Sequence, residues 1–204
     1  MVKRVLKHIV PVLTVLLLFL AGRASAQTTR SDSTVMQRLK DMGIPVTYNN
    51  RVELLMNGHD KFVDLFEAIR GARHHIHLEY FNFRNDSIAN ALFDLLAQKA
   101  AEGVKVRALF DAFGNWSNNQ PLKKKHLEDI RRRGIEIVKF DPITFPWFNH
   151  AAHRDHRKIV VIDGKIGYTG GMNIADYYIK GLPKIGEWHD IHVRIDGDAV
   201  RYLQ

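Results

Sequence analysis

The amino-acid sequence predicts an α/β fold in which a mixed β-sheet is flanked by helices on both faces. Short apolar segments rich in β-branched residues alternate with longer segments whose apolar residues recur every three or four positions, and these periods are typical of strands and helices. Glycines at positions 71, 103 and 134 mark the ends of three helical segments. With 204 residues, 46% of them hydrophobic and 25% charged, the chain is long enough for one domain with a sizeable core.

The first 26 residues have the layout of a secretory signal peptide. A basic head at positions 3, 4 and 7 precedes an apolar segment at 9–20, and small residues at 24–26 fit a cleavage site. The apolar segment is shorter than the roughly 20 residues of a spanning helix, so cleavage after Ala26 is favoured over an uncleaved membrane leader. The chain has no cysteine, which excludes lipoprotein anchoring. We therefore expect export to the cell envelope, in the periplasm or on an outer-facing membrane surface.

Residues 27–50 are polar and are expected to form a linker or a peripheral helix ahead of a domain at 51–204. Within that domain the pattern predicts strands at residues 52–56, 74–83, 104–110, 135–140, 159–162 and 187–195. It predicts helices at residues 59–70, 87–102, 121–133 and 174–179. A further helix begins at Asp198, and its apolar face is barely started where the sequence stops. We therefore expect this domain to be truncated at its C-terminal end.

The residues around His156 carry the clearest chemical signal. A β-branched run at 159–162 lies between a basic head and the turn pair Asp163-Gly164, which indicates a buried strand entering a hairpin. Because residues two apart share one face of a strand, His156 and Lys158 point together. A neutral imidazole can attack the phosphorus of a phosphodiester, and an ammonium can neutralise a non-bridging oxygen. His156 and Lys158 are thus the predicted catalytic pair.

The residues that follow the hairpin are expected to complete a phosphate site. Gly170 and Gly171 allow close approach of the backbone, and Asn173 can donate an amide hydrogen bond to the same phosphate. Asp163 is included among the catalytic residues, although its odd offset from Lys158 places it on the opposite face of the strand. It is expected either to orient neighbouring groups or to fix the Asp-Gly turn.

The spacing His-x-Lys-x4-Asp, followed by Gly-Gly-x-Asn, resembles the HKD signature of the phospholipase D superfamily. The wider sequence over residues 153–178, HRDHRKIVVIDGKIGYTGGMNIADYY, and the segments at 188–192 and 194–200 are similar to bacterial cardiolipin synthases. This resemblance extends from about residue 50 to the last residue, and it implies a phospholipase D-like half-domain. It also implies a phosphatidyltransferase that acts on phosphatidylglycerol at a membrane surface through a phosphohistidine, with no metal or other cofactor.

In the superfamily a second HKD motif supplies the acid for the leaving alcohol, whereas this sequence contains one motif. The other His-x-Lys, at His59 and Lys61, has Phe66 at the Asp position. The expected partner is therefore a second half in a longer chain or a homodimer, and an isolated monomer is expected to be inactive. Two alternatives stay open: a hydrolase of the superfamily, either a phospholipase D or an endonuclease, and a catalytically incomplete half-domain that binds anionic lipid.

Three further residues are considered as indirect contributors to the site. His77 and Glu79 share one face of the strand at 74–83 with His75. This cluster and a histidine-rich group at 150–156 look like metal ligands, but the resemblance favours a metal-free site in which His77 or Glu79 orients other groups. Asp111 follows a strand at the carboxyl end, where α/β sheets place their clefts, so it either lines the site or caps a loop.

Two stretches are candidates for lipid contact. Three aromatic rings at residues 145–148 either pack over the sheet edge or form the apolar lip of a lipid-binding cleft. The helix at 121–133 carries six cations, which form either a solvated face or an attraction for anionic headgroups. Four of the +8 formal charges lie in the first 26 residues, which leaves +4 for the remainder. That small excess argues against nucleic acid as a partner.

Overall fold

A computed structural model describes residues 32–142, 144, 146 and 152–204. The chain divides into two compact units, at residues 1–47 and 48–204. In the first unit the described residues form a polar helix, α1, at residues 32–41. The predicted leader at 1–26 lies outside the described residues. Within the described part of the chain, no helix combines the length and apolarity that crossing a bilayer requires.

A seven-stranded mixed sheet is the centre of the second unit. Its strands are β1 (Asn50–Leu55), β2 (His75–Tyr80), β3 (Lys105–Asp111), β4 (Glu136–Phe140), β5 (Lys158–Ile162), β6 (Ile166–Gly170) and β7 (His192–Gly197). The strand order is β1-β7-β6-β5-β2-β3-β4. Strands β2, β3 and β4 run parallel, and every other neighbouring pair is antiparallel. The predicted α/β class with a mixed sheet is confirmed.

Helices cover one face of this sheet. They are α2 (Gly58–Arg70), α3 (Ser87–Ala101), α4 (Ala112–Ser117), α5 (Lys124–Arg132) and α6 (Tyr177–Lys180). The side chains of Asn57 and Asp86 cap the first two of these by accepting hydrogen bonds from Asp60 N and Ala89 N. Apolar residues of α2, α3 and α5 are buried with alternate residues of β2, β3 and β5 in the main core. Burial of this one face therefore holds the second unit together.

The other face of the sheet is only partly covered by the described residues. A 3-10 helix at Asp198–Tyr202 places Val200 over Ile159 and Val161 in a second, small apolar cluster. Beyond it, across β2, β3 and β4, the sheet forms an open groove. The prediction of helices on both faces thus holds for one face, while the other has a single short 3-10 helix in the described part.

One end of the sheet gathers the segments that matter for function. Strands β2, β3 and β6 end there, whereas β5 and β7 begin there, as the pairings Tyr80 with Lys158 and Gly170 with His192 show. Residues at five strand ends therefore meet along one rim.

Candidate active site

His156 and Lys158 converge on one aromatic ring at this rim. The ring of Phe81, just after β2, lies 4.7 Å from the imidazole of His156, centroid to centroid, and 5.4 Å from Lys158 Nζ. His156 is exposed, whereas Lys158 is buried. The two side chains therefore share one side of the sheet, as the strand spacing predicts, and a ligand can reach the imidazole from solvent.

Lys158 lies in a site with mixed electrostatics. Its ammonium donates a 2.6 Å hydrogen bond to the carbonyl oxygen of His156, which ties the side chain to the backbone beside it. Burial lowers the pKa of Lys158, and the carboxylates of Asp155 and Asp190 oppose that shift. The ammonium is thus held in position and only partly compensated by carboxylates, an arrangement suited to a phosphate oxygen.

Asp111 ties three segments of the rim together. Its fully buried carboxylate accepts hydrogen bonds from Phe113 N and Gly114 N at the start of α4. It also accepts from Arg154 Nη1 at 3.2 Å and from Asp155 N at 2.9 Å. Of the two expected roles, capping fits these contacts, and the carboxylate also fixes the segment directly before His156; because it is fully buried, the structure gives no support to its lining the site.

The loop after β6 carries Asn173, which binds the backbone of Asn82, the residue after Phe81. Asn173 is buried, its Oδ1 accepts a hydrogen bond from Asn82 N, and its Nδ2 lies 3.4 Å from the hydroxyl oxygen of Tyr178. An amide nitrogen has two hydrogens, so the second can serve a phosphate. Asn173 is therefore fixed in orientation before any ligand arrives.

Lys61 is a functional candidate that sequence reasoning missed. It lies in α2, is fully buried, and donates hydrogen bonds of 3.0 and 2.9 Å to the carbonyl oxygens of Met172 and Asn173. Burial holds the pKa of its ammonium well below the usual range, a shift that Asp190 opposes and Lys158 reinforces. In the sequence Lys61 stands out only as part of an incomplete His-x-Lys pattern, and no pattern marks the two carbonyls that it binds.

Asp190 and His192 explain the two glycines at the end of β6. A Cβ on Gly171 would collide with the Asp190 carboxylate, and one on Gly170 would lie 2.6 Å from His192 Nδ1. In this structure side chains just before and at the start of β7 occupy the space that a Cβ would fill, and the expected approach of these glycines to a phosphate stays a prediction. Asp190 and His192 both belong to the segment at 188–192 that is similar to cardiolipin synthases. That similarity is the sequence feature that could have pointed to them.

His192 is buried, and neither of its ring nitrogens has a hydrogen-bond partner in the described structure. Burial lowers the pKa of His192 to about 2, and the nearby ammonium groups of Lys61 and Lys158 act in the same direction. The hydroxyl of Tyr80 is also buried without a partner. The imidazole is therefore neutral and adds no charge near Lys61 and Lys158.

Asp163 does not reach the rim. It stands at the far end of β5, where its carboxylate accepts hydrogen bonds of 2.8 to 2.9 Å from Arg73 N, His74 N and His75 N. Asp163 and Gly164 both have positive φ, 53° and 65°, which is the geometry of a type I′ hairpin turn. Of the two expected roles, the structure supports the turn, and it does not support contact with substrate.

His77 and Glu79 also lie away from the catalytic pair, because they project from the opposite face of the sheet. Glu79 stands opposite Ile159 in β5, whereas Tyr80 stands opposite Lys158. Glu79 binds Arg157 at 2.7 Å, and burial and the neighbouring Asp155 raise its pKa against the effect of Arg157. Glu79 therefore reaches the segment before Lys158 through Arg157 and Asp155, whereas the ring of His77 packs on His75.

Other sequence candidates have mixed outcomes. Rings 145, 147 and 148 and His150 lie outside the described residues. Among the residues that are described, no three His, Asp or Glu side chains are arranged to hold a metal ion.

The basic helix α5 uses some of its cations within the protein. Arg131 binds the carbonyl of Ile137, and Arg132 pairs with Asp129. These two cations are therefore already bound to groups of the protein, a backbone carbonyl and a carboxylate.

Comparison with known proteins shows which family the chain is similar to. A family described as "Cardiolipin synthase, PLD-like domain" matches residues 65–180. The cardiolipin synthase of Halalkalibacterium halodurans is 42% identical over 161 residues, which cover 78% of this chain and 31% of that protein. The chain thus spans about a third of the length of the curated relatives that it matches.

Solved structures share the fold. Nuc from Salmonella typhimurium, a phospholipase D family member, superposes with a TM-score of 0.54 at 17% identity, over 73% of this chain and 84% of Nuc. A phosphatidylserine synthase from Haemophilus influenzae gives a TM-score of 0.56 at 15% identity, over 74% of this chain and 34% of that one. At these identities the likeness concerns the fold alone.

Proposed function

The chain belongs to the family of PLD-like domains found in cardiolipin synthases, and from that membership we propose that it is a phosphatidyltransferase half-domain. Its substrate is phosphatidylglycerol at a membrane surface, and its product with a second phosphatidylglycerol is cardiolipin. The observation that carries this proposal is the convergence of His156 and Lys158 on Phe81 beside Asn173.

The reaction has two displacements at phosphorus. A neutral nitrogen of His156 attacks the phosphorus of phosphatidylglycerol, the bond from phosphorus to the headgroup glycerol oxygen breaks, and an acid protonates that oxygen. Lys158 and Asn173 stabilise the non-bridging oxygens while charge builds up on them. The group that acted as the acid is now deprotonated. It takes the proton from the hydroxyl of a second phosphatidylglycerol, whose oxygen attacks phosphorus and displaces His156.

The acid in this scheme comes from a second HKD half. One HKD motif is present in the chain, and the family relatives are about three times as long as the matched segment. The second half is supplied either by a longer protein or by another copy of this chain in a homodimer. The exposed face of His156 is the side from which that second histidine would approach.

The proposed location is the outer side of the cytoplasmic membrane. The basic head, apolar segment and small residues at 1–26 support export of the domain at 51–204.

Hydrolysis by the same site gives phosphatidic acid instead of cardiolipin. Whether transfer or hydrolysis occurs depends on how well water is excluded from the phosphohistidine.

The products formed from labelled phosphatidylglycerol test the proposal. The full protein should accumulate cardiolipin and free glycerol, and acid-labile, alkali-stable phosphate should appear on His156 after rapid quenching. His156→Ala should abolish both signals. Accumulation of phosphatidic acid alone would assign a phospholipase D, and normal turnover by His156→Ala would show that the nucleophile is another group.

A further inference from the structure

Phe113 and Trp116 form an exposed aromatic surface next to the catalytic rim. They stand three residues apart on α4, so they share one side of the helix, and their ring centroids are 5.5 Å apart. Trp116 is 76% exposed and Phe113 is 37% exposed. Together with Ala112, Lys139 and Pro142 they line a cleft of about 390 Å³. We call these five residues the aromatic ledge.

A short series of contacts links the ledge to His156. Gly114 of α4 packs so closely on Phe81 that a Cβ there would collide with the carbonyl oxygen of Phe81. Phe81 in turn contacts the imidazole of His156 and the ammonium of Lys158. The carboxylate of Asp111 caps α4 and holds Asp155, the residue before His156. The ledge is therefore fixed relative to the nucleophile.

The chemistry of the ledge matches the boundary between headgroups and acyl chains. Tryptophan and phenylalanine are favoured at that boundary, and a lysine beside them attracts anionic headgroups. The ledge residues include one cation and no acid. In a phospholipid the acylated glycerol is esterified directly to the phosphate, so it must lie within a few bonds of the atom that His156 attacks. The ledge lies on the helix whose Gly114 packs on Phe81, so it is placed within reach of that part of the lipid.

We infer that the aromatic ledge, Phe113 and Trp116 with Lys139, docks the chain on an anionic bilayer and receives the glycerol and upper acyl region of the phospholipid substrate. This inference rests on the proposed function, because it takes a phospholipid as the substrate. It adds a lipid-binding surface on α4 to that function.

Vesicle binding tests the inference without turnover. The full chain carrying His156→Ala is mixed with vesicles of phosphatidylglycerol and phosphatidylcholine whose acyl chains are brominated near the glycerol. Bromine should quench Trp116, and Phe113→Ala with Trp116→Ala should weaken partitioning about tenfold, because two exposed rings that would be partly buried in the bilayer are lost. Lys139→Gln should weaken binding to anionic vesicles about fivefold and leave binding to pure phosphatidylcholine unchanged.

Tyr202→Ala is the matched control, since Tyr202 is a 51% exposed aromatic residue on the C-terminal 3-10 helix. It should not change partitioning. Because both ledge rings are exposed, the unfolding midpoint of the double variant should stay at the value of the parent.

Two results would overturn the inference. Unchanged partitioning of the double variant would exclude the ledge as a lipid surface. Altered sedimentation of that variant with unchanged partitioning would instead identify the ledge as a contact between protein copies. The inference and the proposed function can fail independently of each other. Vesicle binding is measured in the inactive His156→Ala chain, whereas product formation is measured in the parent.

Discussion

At the scale of single residues, Asp163 illustrates how one motif can contain groups with different tasks. The HKD spacing places His156, Lys158 and Asp163 in one signature, yet only the first two lie at the rim. Partial burial raises the pKa of the Asp163 carboxyl, but hydrogen bonds from the backbone N–H groups of His75, Arg73 and His74 outweigh it and leave the pKa below its usual range. The carboxylate therefore stabilises the fold.

Asp163→Asn should reduce the free energy of unfolding by about 1–2 kcal/mol at pH 7, because a charged acceptor of three hydrogen bonds is lost. The folded-state pKa is lower than the unfolded one, so the stabilisation is present above the unfolded pKa of about 3.9 and disappears as the pH falls through the folded pKa. Urea unfolding of parent and variant between pH 7 and pH 3 should show the two curves converging at the acidic end.

Asp129→Asn is a suitable control for that comparison, since Asp129 pairs with Arg132 on the exposed side of α5 and should contribute little. Turnover of folded Asp163→Asn should stay near that of the parent. A loss of about 100-fold without a loss of stability would instead assign Asp163 to the chemistry.

At the scale of elements, the loop between β6 and α6 depends on a helix that is distant in sequence. Lys61 of α2 binds the carbonyl oxygens of Met172 and Asn173 and so fixes the backbone that carries the Asn173 amide. Lys61→Met should lower turnover about tenfold, because a small displacement of Asn173 misplaces the amide that we propose as a phosphate ligand. Steady-state kinetics with phosphatidylglycerol vesicles should show the loss in kcat.

Lys99→Met provides a matched variant, because Lys99 of α3 is also a buried lysine that donates to a backbone carbonyl, that of Arg70. It should destabilise the chain and leave turnover of the folded protein unchanged. Equal losses of turnover in both variants would mean that Lys61 acts only through stability.

Many of the strands and helices could be predicted from the sequence. The run at 159–162 and the Asp-Gly pair are sufficient for β5 and its hairpin, because burial and turn geometry act over a few neighbouring residues. The six-residue α4 was not predicted, since it is too short for a helical period and begins at a cap supplied by the strand-end residue Asp111. Lys61 and His192 were missed for another reason: their roles depend on contacts between segments far apart in the sequence.

At the scale of the whole molecule, the site is expected to work only when two halves meet. His156 is exposed and shares the ring of Phe81 with Lys158, and the sequence contains one HKD motif. If the second half is another copy of this chain, turnover per chain should fall as dilution shifts dimers to monomers. Analytical ultracentrifugation and turnover measured over the same concentrations would compare the two.

Mixing the parent with His156→Ala chains extends this prediction to the source of the second histidine. In a homodimer that needs one His156 from each copy, an equal mixture that exchanges freely has only about a quarter of its dimers with both histidines, since pairing is random. Turnover per parent chain should then fall by about half. Chains that work alone, or that carry their second half in cis, would keep full turnover in the same mixture. A constant rate for a strictly monomeric 204-residue chain would contradict the shared site.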